Sequence, residues 1–357
     1  MFELDHVTLH GNHRPRLNDV SVVIPAGRTA IVGYSGAGKT SLLNVLAGFE
    51  QPDAGTARRL AENGEGRAER AGRLPLFWAP QNGGLWPHMT VDQHLECVSN
   101  PSEQPRDGGK REESRRSLDW TDEILSALDL VDRRSAFPAQ LSQGERSRLA
   151  LARALASRAS VLLLDEPLSH VDPVRKPDYW KSVQRRMSQD FTSMVFSSHE
   201  PETVLRQAEH VICLYEGHIV FQGTTRTLYD SPPSREVGEF LGPLNWFEPE
   251  ETVFLNDGGS SAEPVSVRPE RLRLLAEESS PLQLVATPFR GGYAESIVKH
   301  VLTGRVRTVL HNGLSELPEP GAGVRCSVFR NWPEIAPISG HILTRPISKS
   351  RTPDPAA

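Results

Sequence analysis

Apolar and polar positions alternate in two short runs near the start of the chain, Phe2-Glu3-Leu4-Asp5-His6-Val7 and Val20-Ser21-Val22-Val23-Ile24, around a polar turn from Gly11 to Arg16. Period-two alternation predicts a hairpin-like β layer. The pattern then changes to a continuous apolar run, Thr29-Ala30-Ile31-Val32, and an apolar helix, Ser41-Leu42-Leu43-Asn44-Val45-Leu46-Ala47, closed by Gly48. Thr56 to Arg73 is charged and weakly periodic, so it reads as a short strand and loops. Leu74 to Gln81 is an apolar run ending on a single amide. From Val91 to Gln140 the spacing of Trp120, Ile124, Leu125, Leu128 and Leu130 is helical, which predicts a helical subdomain interrupting a sheet. Within it, Ser99 to Ser117 has almost no apolar residue and is expected to be a solvated, mobile loop. Helix spacing returns from Arg146 to Ser157, and Val161-Leu162-Leu163-Leu164 and Ser193 to Ser198 are buried strands that stop at Asp165-Glu166 and His199. Strands apolar on both faces belong to parallel sheets covered by helices, so the class is α/β.

The segment between the apolar strand and its helix carries the strongest chemistry. Gly33-Tyr34-Ser35-Gly36-Ala37-Gly38-Lys39-Thr40 is a G-x-x-x-x-G-K-T loop, followed by Ser41. Glycines let successive N–H groups turn toward one point, and the positive end of the helix adds to them, so polyphosphate is held largely by backbone. Lys39 is placed to reach β- and γ-phosphates, and the Thr40 hydroxyl to ligate Mg²⁺. Two carboxylates at the end of a neighbouring strand, Asp165 and Glu166, suit metal binding and activation of water. Ser142 with Glu145 three residues on fits a capping box, and on that account these residues only start a helix.

Composition narrows the function classes. A chain of 357 residues with net charge −5 and interspersed signs has no basic footprint, so nucleic acid is not expected as a partner. Length favours about two or three domains at roughly 150 residues each. The three cysteines, Cys97, Cys213 and Cys326, lack C-x-x-C spacing, which argues against a zinc site and a disulfide framework and fits a reducing compartment. The start of the chain lacks an export-signal pattern, and no apolar stretch approaches the ~20 residues of a membrane helix. From Asn245 the composition turns to short apolar runs broken by Gly and Pro, at 252–255, 264–268, 272–275, 282–286, 296–301, 306–310 and 324–329. Such spacing suggests a small β-barrel.

The phosphate loop, the Gln81 strand end, Leu141-Ser142-x-Gly144, Asp165-Glu166, Ser169-His170-Val171-Asp172 and His199, in this order, resemble the ATPase subunit of an ABC transporter. Asn82 to Val91 and Leu228-Tyr229-Asp230-Ser231-Pro232-Pro233 further resemble importers of the maltose, polyamine and ferric-iron type. The resemblance implies a P-loop NTPase domain over 1–240, with an antiparallel β layer and a helical subdomain at about 82–142. An OB-like (TOBE-type) barrel over 245–347, starting near Val267-Arg268-Pro269-Glu270, and a disordered tail at 348–357 would follow. It implies ATP and Mg²⁺ as ligands, with Thr40, Gln81 and Asp165 at the metal. Glu166 would be the general base, with His199 and Gln81 at the γ-phosphate. Leu141, Ser142, Gln143, Gly144 and Glu145 would act in trans across a head-to-tail homodimer, with Asp172 at the subunit junction. It also implies membrane permease subunits as partners, indirectly an extracytoplasmic solute-binding protein, and a peripheral place on the cytoplasmic face of the inner membrane.

Three features depart from the family pattern: the signature, the adenine position, and the polar insertion Ser99 to Ser117, which lengthens the helical subdomain. The usual signature has Gly at Gln143 and Gln at Glu145, and an acid near phosphate opposes anion binding if it points inward. Glu145 is therefore expected to face its own helix or the partner surface. The adenine is usually stacked by an aromatic ring, and here the nearest candidate is His10. A soluble ABC-type ATPase acting on ribosomes or DNA, an exporter ATPase and a degenerate, merely nucleotide-binding cassette remain as alternatives, and the transported solute is open.

Overall fold

The computed structural model describes residues 2–60, 74–99, 120–190, 192–255, 262–288, 293–313 and 318–329. It divides into two compact units between Thr225 and Arg226. The first unit runs β1 (Phe2–Leu9), β2 (Leu17–Ile24), β3 (Arg28–Val32), α1 (Lys39–Ala47), β4 (Ala54–Arg59), β5 (Phe77–Ala79) and α2 (Val91–Ser99). A helix α3 over 120–127 follows. Then come α4 (Gln143–Ala156), β6 (Val161–Leu164), α5 (Lys176–Asp190), β7 (Ser193–Ser197), α6 (Pro201–Gln207), β8 (His210–Tyr215) and β9 (His218–Thr224).

Two sheets result. The hairpin predicted from alternation forms with β4 an antiparallel sheet of order β2-β1-β4, and the apolar strands form a six-stranded sheet of order β5-β6-β7-β3-β8-β9. All its pairings are parallel except β8 with β9. Leu42, Leu43 and Leu46 of α1 share one core with Val7, Leu9 and Val20 of the small sheet and with Leu163, Val195 and Ile212 of the large one. An element buried between two apolar surfaces must be apolar around most of its girth, which is why α1 lacks a polar stripe. That burial fixes the helix start, and with it the phosphate loop, against the sheet.

Several expectations are corrected. The run from Leu74 to Gln81 contributes only Phe77–Ala79 to the sheet, because Pro75 and Pro80 cannot donate to a ladder. Helix α5 had no counterpart in the sequence reading. Its apolar residues Tyr179, Trp180, Val183 and Met187 are buried, but they are spread thinly among charges. Of the segment expected to be a loop, Ser99 closes α2, and the rest lies outside the described residues.

The second unit opens with α7 (Thr225–Asp230) and α8 (Arg235–Glu239), then β10 (Asn245–Phe247), β11 (Val265–Val267), β12 (Leu272–Ala276), β13 (Leu282–Ala286), β14 (Ala294–His300), β15 (Val306–His311) and β16 (Val324–Val328). The expected boundary near 240 moves to 225. Buried Arg268 explains the shift: its guanidinium donates to the carbonyls of Tyr229, Gly238, Gly242 and Pro243, tying the two short helices to the β unit. The described strands pair as β10-β11, β12-β16 and β13-β14-β15 around a shared core of Phe247, Leu272, Leu284, Val298, Val309 and Val324. Thr252 to Leu255, expected to be a strand, instead falls within and just after a 3-10 turn, Pro249–Phe254, which Pro249 and a Glu248/Glu251 capping box start. Residues 330–357, including the expected disordered tail, lie outside the described residues.

Candidate nucleotide site

The phosphate loop leaves β3 at Gly33 and enters α1 at Gly38. Gly33 lies so close to β8 that a Cβ there would sit 2.3 Å from the Leu214 carbonyl oxygen. Gly38 has φ 108°, and a Cβ there would meet the Arg16 carbonyl oxygen at 2.4 Å, so only glycine fits. Helix α1 has no side-chain cap and no acid in its first turn, leaving its N–H groups to an outside acceptor. Lys39 is buried, and its Nζ donates to the Gly33 carbonyl at 2.9 Å and the Tyr34 carbonyl at 3.1 Å. Burial lowers the Lys39 pKa, while the negative charges of Glu166 and Asp165 oppose that shift. Ser35 and Gly36 are exposed, Ala37 and Ser41 are buried, and Tyr34 meets Tyr215 edge to face at 6.5 Å.

The ends of β5, β6, β7 and β3 are neighbours, and the expected site residues converge there. Thr40 Oγ1 donates to Asp165 Oδ2 at 2.8 Å. The other oxygen of Asp165 accepts from Ser197 Oγ, which itself accepts from the Glu166 N–H at 2.8 Å. Glu166 has φ 48° and Leu168 φ 61°, left-handed values for residues with side chains, in the turn that aims the carboxylate. The Glu166 carboxylate lies 3.1 Å from His199 Nδ1 and accepts from Gln81 Nε2 at 3.3 Å. A cavity of about 240 Å³ opens here, with Gln81, Gln143, Arg146, Asp165, Glu166 and His170 among its walls.

Helix α4 starts with the predicted capping box. Ser142 Oγ accepts from Glu145 N at 3.2 Å, and the Glu145 carboxylate accepts from Ser142 N at 2.8 Å. Glu145 also pairs with Arg133 at 2.8 Å. The Ser142 backbone N–H, and after it Arg133, hold the Glu145 carboxyl down to about 2. The carboxylate is thus turned onto its own helix. Leu141 is buried, and Gly144 lets α4 pass close to the chain, since a Cβ there would lie 3.1 Å from the His170 carbonyl oxygen. Asp172 Oδ1 accepts from Val174 N at 2.9 Å and its carbonyl from Lys176 N at 3.0 Å, at the start of α5.

Residues 17–169 match the family model for the ABC transporter. The Fe(3+) ions import ATP-binding protein FbpC of Serratia marcescens is 30% identical, over 88% of this chain and 92% of its own. The FbpC of Pseudomonas fluorescens strain Pf0-1 is 32% identical, over 85% of this chain and 89% of its own. This chain belongs to the ABC transporter family. The Sulfate/thiosulfate import ATP-binding protein CysA 2 of Shewanella oneidensis is 33% identical, over 68% of each chain. The fold is shared with the dimeric bacterial ABC transporter cassette MJ0796, at TM-score 0.51 and 24% identity, over 63% of this chain and 98% of that one.

In this ABC chain three residues matter that the sequence reading passed over. Ser197, the fully buried link between Asp165 and Glu166, was detectable only as a polar residue inside an apolar strand. Arg153 of α4 is buried, and its guanidinium donates to the Gly84 and Gly83 carbonyls at 2.6 and 2.7 Å. It also lies 4.8 Å from the Trp86 ring, so the loop after Gln81 is pinned to the signature helix. Arg14, in the first hairpin turn, lies against Gly36. His10, the candidate for the adenine, is held through its backbone N–H by Asp53 at 2.6 Å and lines an open cavity of about 820 Å³ with the rest of that turn.

Proposed function

We propose that the chain is the ATP-binding and ATP-hydrolysing subunit of an ABC import system and energises solute movement through separate permease subunits. The observation that carries this reading is the convergence of Lys39, the Thr40–Asp165 pair, Glu166, Gln81 and His199 at adjacent strand ends. The relatives named as Fe(3+) and sulfate/thiosulfate import ATP-binding proteins support import over export. Gly33 to Ser41 bind the polyphosphate through backbone N–H groups and Lys39. Glu166 takes the proton of the attacking water, and Gln81 and His199, both already against its carboxylate, orient it and contact the γ-phosphate.

Mg²⁺ fits the oxygen donors present. Among the described residues no group of three or more His, Cys, Asp or Glu side chains could hold a metal ion, so a metal here relies on Thr40, Asp165 and Gln81 together with phosphate oxygens. Bound there, the cation would draw charge from the phosphate oxygens. The remaining half of the phosphate contacts comes from Ser142 and Gly144 of a second copy in a head-to-tail dimer. No helix among the described residues is long and apolar enough to cross a membrane. The subunit docks peripherally on its permease at the cytoplasmic face, and a solute-binding protein acts on the far side.

Turnover of the wild type against Glu166→Gln tests the reading. Loss of a general base lowers kcat by about 10²–10⁴-fold while ATP binding persists. Equal rates would remove Glu166 from its role.

A further inference from the structure

The turn between β1 and β2 carries four cationic or titratable side chains, His10, His13, Arg14 and Arg16, around one open cavity. They are not equivalent. Arg16 is spoken for: its Nη1 donates to Glu50 Oε1 at 3.1 Å, its Nη2 pairs with the other oxygen, and Asn44 holds that carboxylate at 2.7 Å. Its Nε bonds the His10 carbonyl at 3.2 Å, so Arg16 braces the turn against α1. Arg14 is exposed, and among the described residues no acid pairs with it. Its Nη2 lies 3.5 Å from where a Cβ on Gly36 would stand, which sets the guanidinium over the phosphate loop. A cation beside the positive end of an uncapped helix is repelled by it until an anion arrives. Guanidinium is also the side chain best shaped for two parallel bonds to phosphate oxygens.

Building on the nucleotide reading above, we infer that Arg14 is a polyphosphate-binding residue that grips the nucleotide from the outer side of the phosphate loop. The turn thereby holds the nucleotide by charge. The test uses the full chain carrying Glu166→Gln to block turnover, with MgATP and inorganic tripolyphosphate as ligands. Arg14→Ala should weaken both ligands by about tenfold, the loss of one charge-assisted contact, and flatten the salt dependence of both. Arg14→Lys, which keeps the charge, should recover most of the ATP and tripolyphosphate affinity. Because Arg14 is exposed, both variants should melt with the parent in the absence of ligand. Unchanged affinities overturn the inference. So does a loss confined to ATP with tripolyphosphate unaffected, which would place Arg14 at the base or ribose. If the parent binds neither ligand, the nucleotide reading itself falls, a result distinct from the other two.

Discussion

Two helix starts in the first unit, those of α1 and α4, face the same kind of ligand in the proposed assembly and are built in opposite ways. Helix α1 begins at a left-handed glycine, without a side-chain cap or an acid in its first turn. Helix α4 begins at Ser142 with both halves of a capping box made and with Glu145 in its first turn. An uncapped start leaves its N–H donors and positive end to an outside anion, whereas a capped one has satisfied part of both at home. The two ends therefore differ in duty. The α1 end is a standing phosphate site that burial between two sheets holds in place. The α4 end is stable on its own, and Arg133 withdraws the acid that would otherwise repel phosphate.

The largest effect that can break this contrast is at α1. Lys39→Ala should lower ATP affinity by roughly 100-fold, as expected for removal of a buried cation with two or more charge-assisted contacts. Isothermal titration of the purified chain reads it, and affinity within threefold of wild type would show that the loop is not the phosphate site. Ser142→Ala acts on the other helix start. It should destabilise the chain by about 1 kcal/mol through loss of the cap. ATP affinity of the isolated chain should stay unchanged, with ATP-dependent dimer formation reduced; sedimentation with Glu166→Gln as the parent checks the last point.

The smallest effect sharpens the contrast by pH. The Glu145 carboxyl, held near 2 by the Ser142 N–H and Arg133, lies below its unfolded range. Its contribution is therefore complete at neutral pH and is lost as pH falls from the ordinary carboxylate range through about 2. Glu145→Gln should cost under about 1 kcal/mol at pH 7, since the amide can still accept from Ser142 N. The gap between the two melting curves should close on acidification. A gap independent of pH would mean the Arg133 and Ser142 contacts do not act on the charge.

Much of the first unit could be read from periodicity. The hairpin, the apolar strands ending in Asp165 and His199, α1 and the capped α4 were legible because each is specified by local pattern: alternation, unbroken aliphatic runs, or cap chemistry within three residues. Helix α5 and the α7–α8 attachment were not. In α5 the buried residues are diluted by charges, and the attachment depends on Arg268 reaching carbonyls 25 or more positions away in the chain. The second unit was legible as short strands, but sheet membership was not, since Gly and Pro interruptions mark where strands end and say nothing of which ones pair.

The sequence by itself determined the chemistry of the phosphate loop, the class of the fold and the carboxylates at the strand ends, because those residues act through their own backbone or immediate neighbours. Only the tertiary structure decided that Ser197 joins Asp165 to Glu166, that Arg153 ties the loop after Gln81 to α4, and that Arg14 is left unbalanced while Arg16 is neutralised. These are contacts between segments far apart in the chain, and they exist only once packing has brought the strand ends and loops to one place.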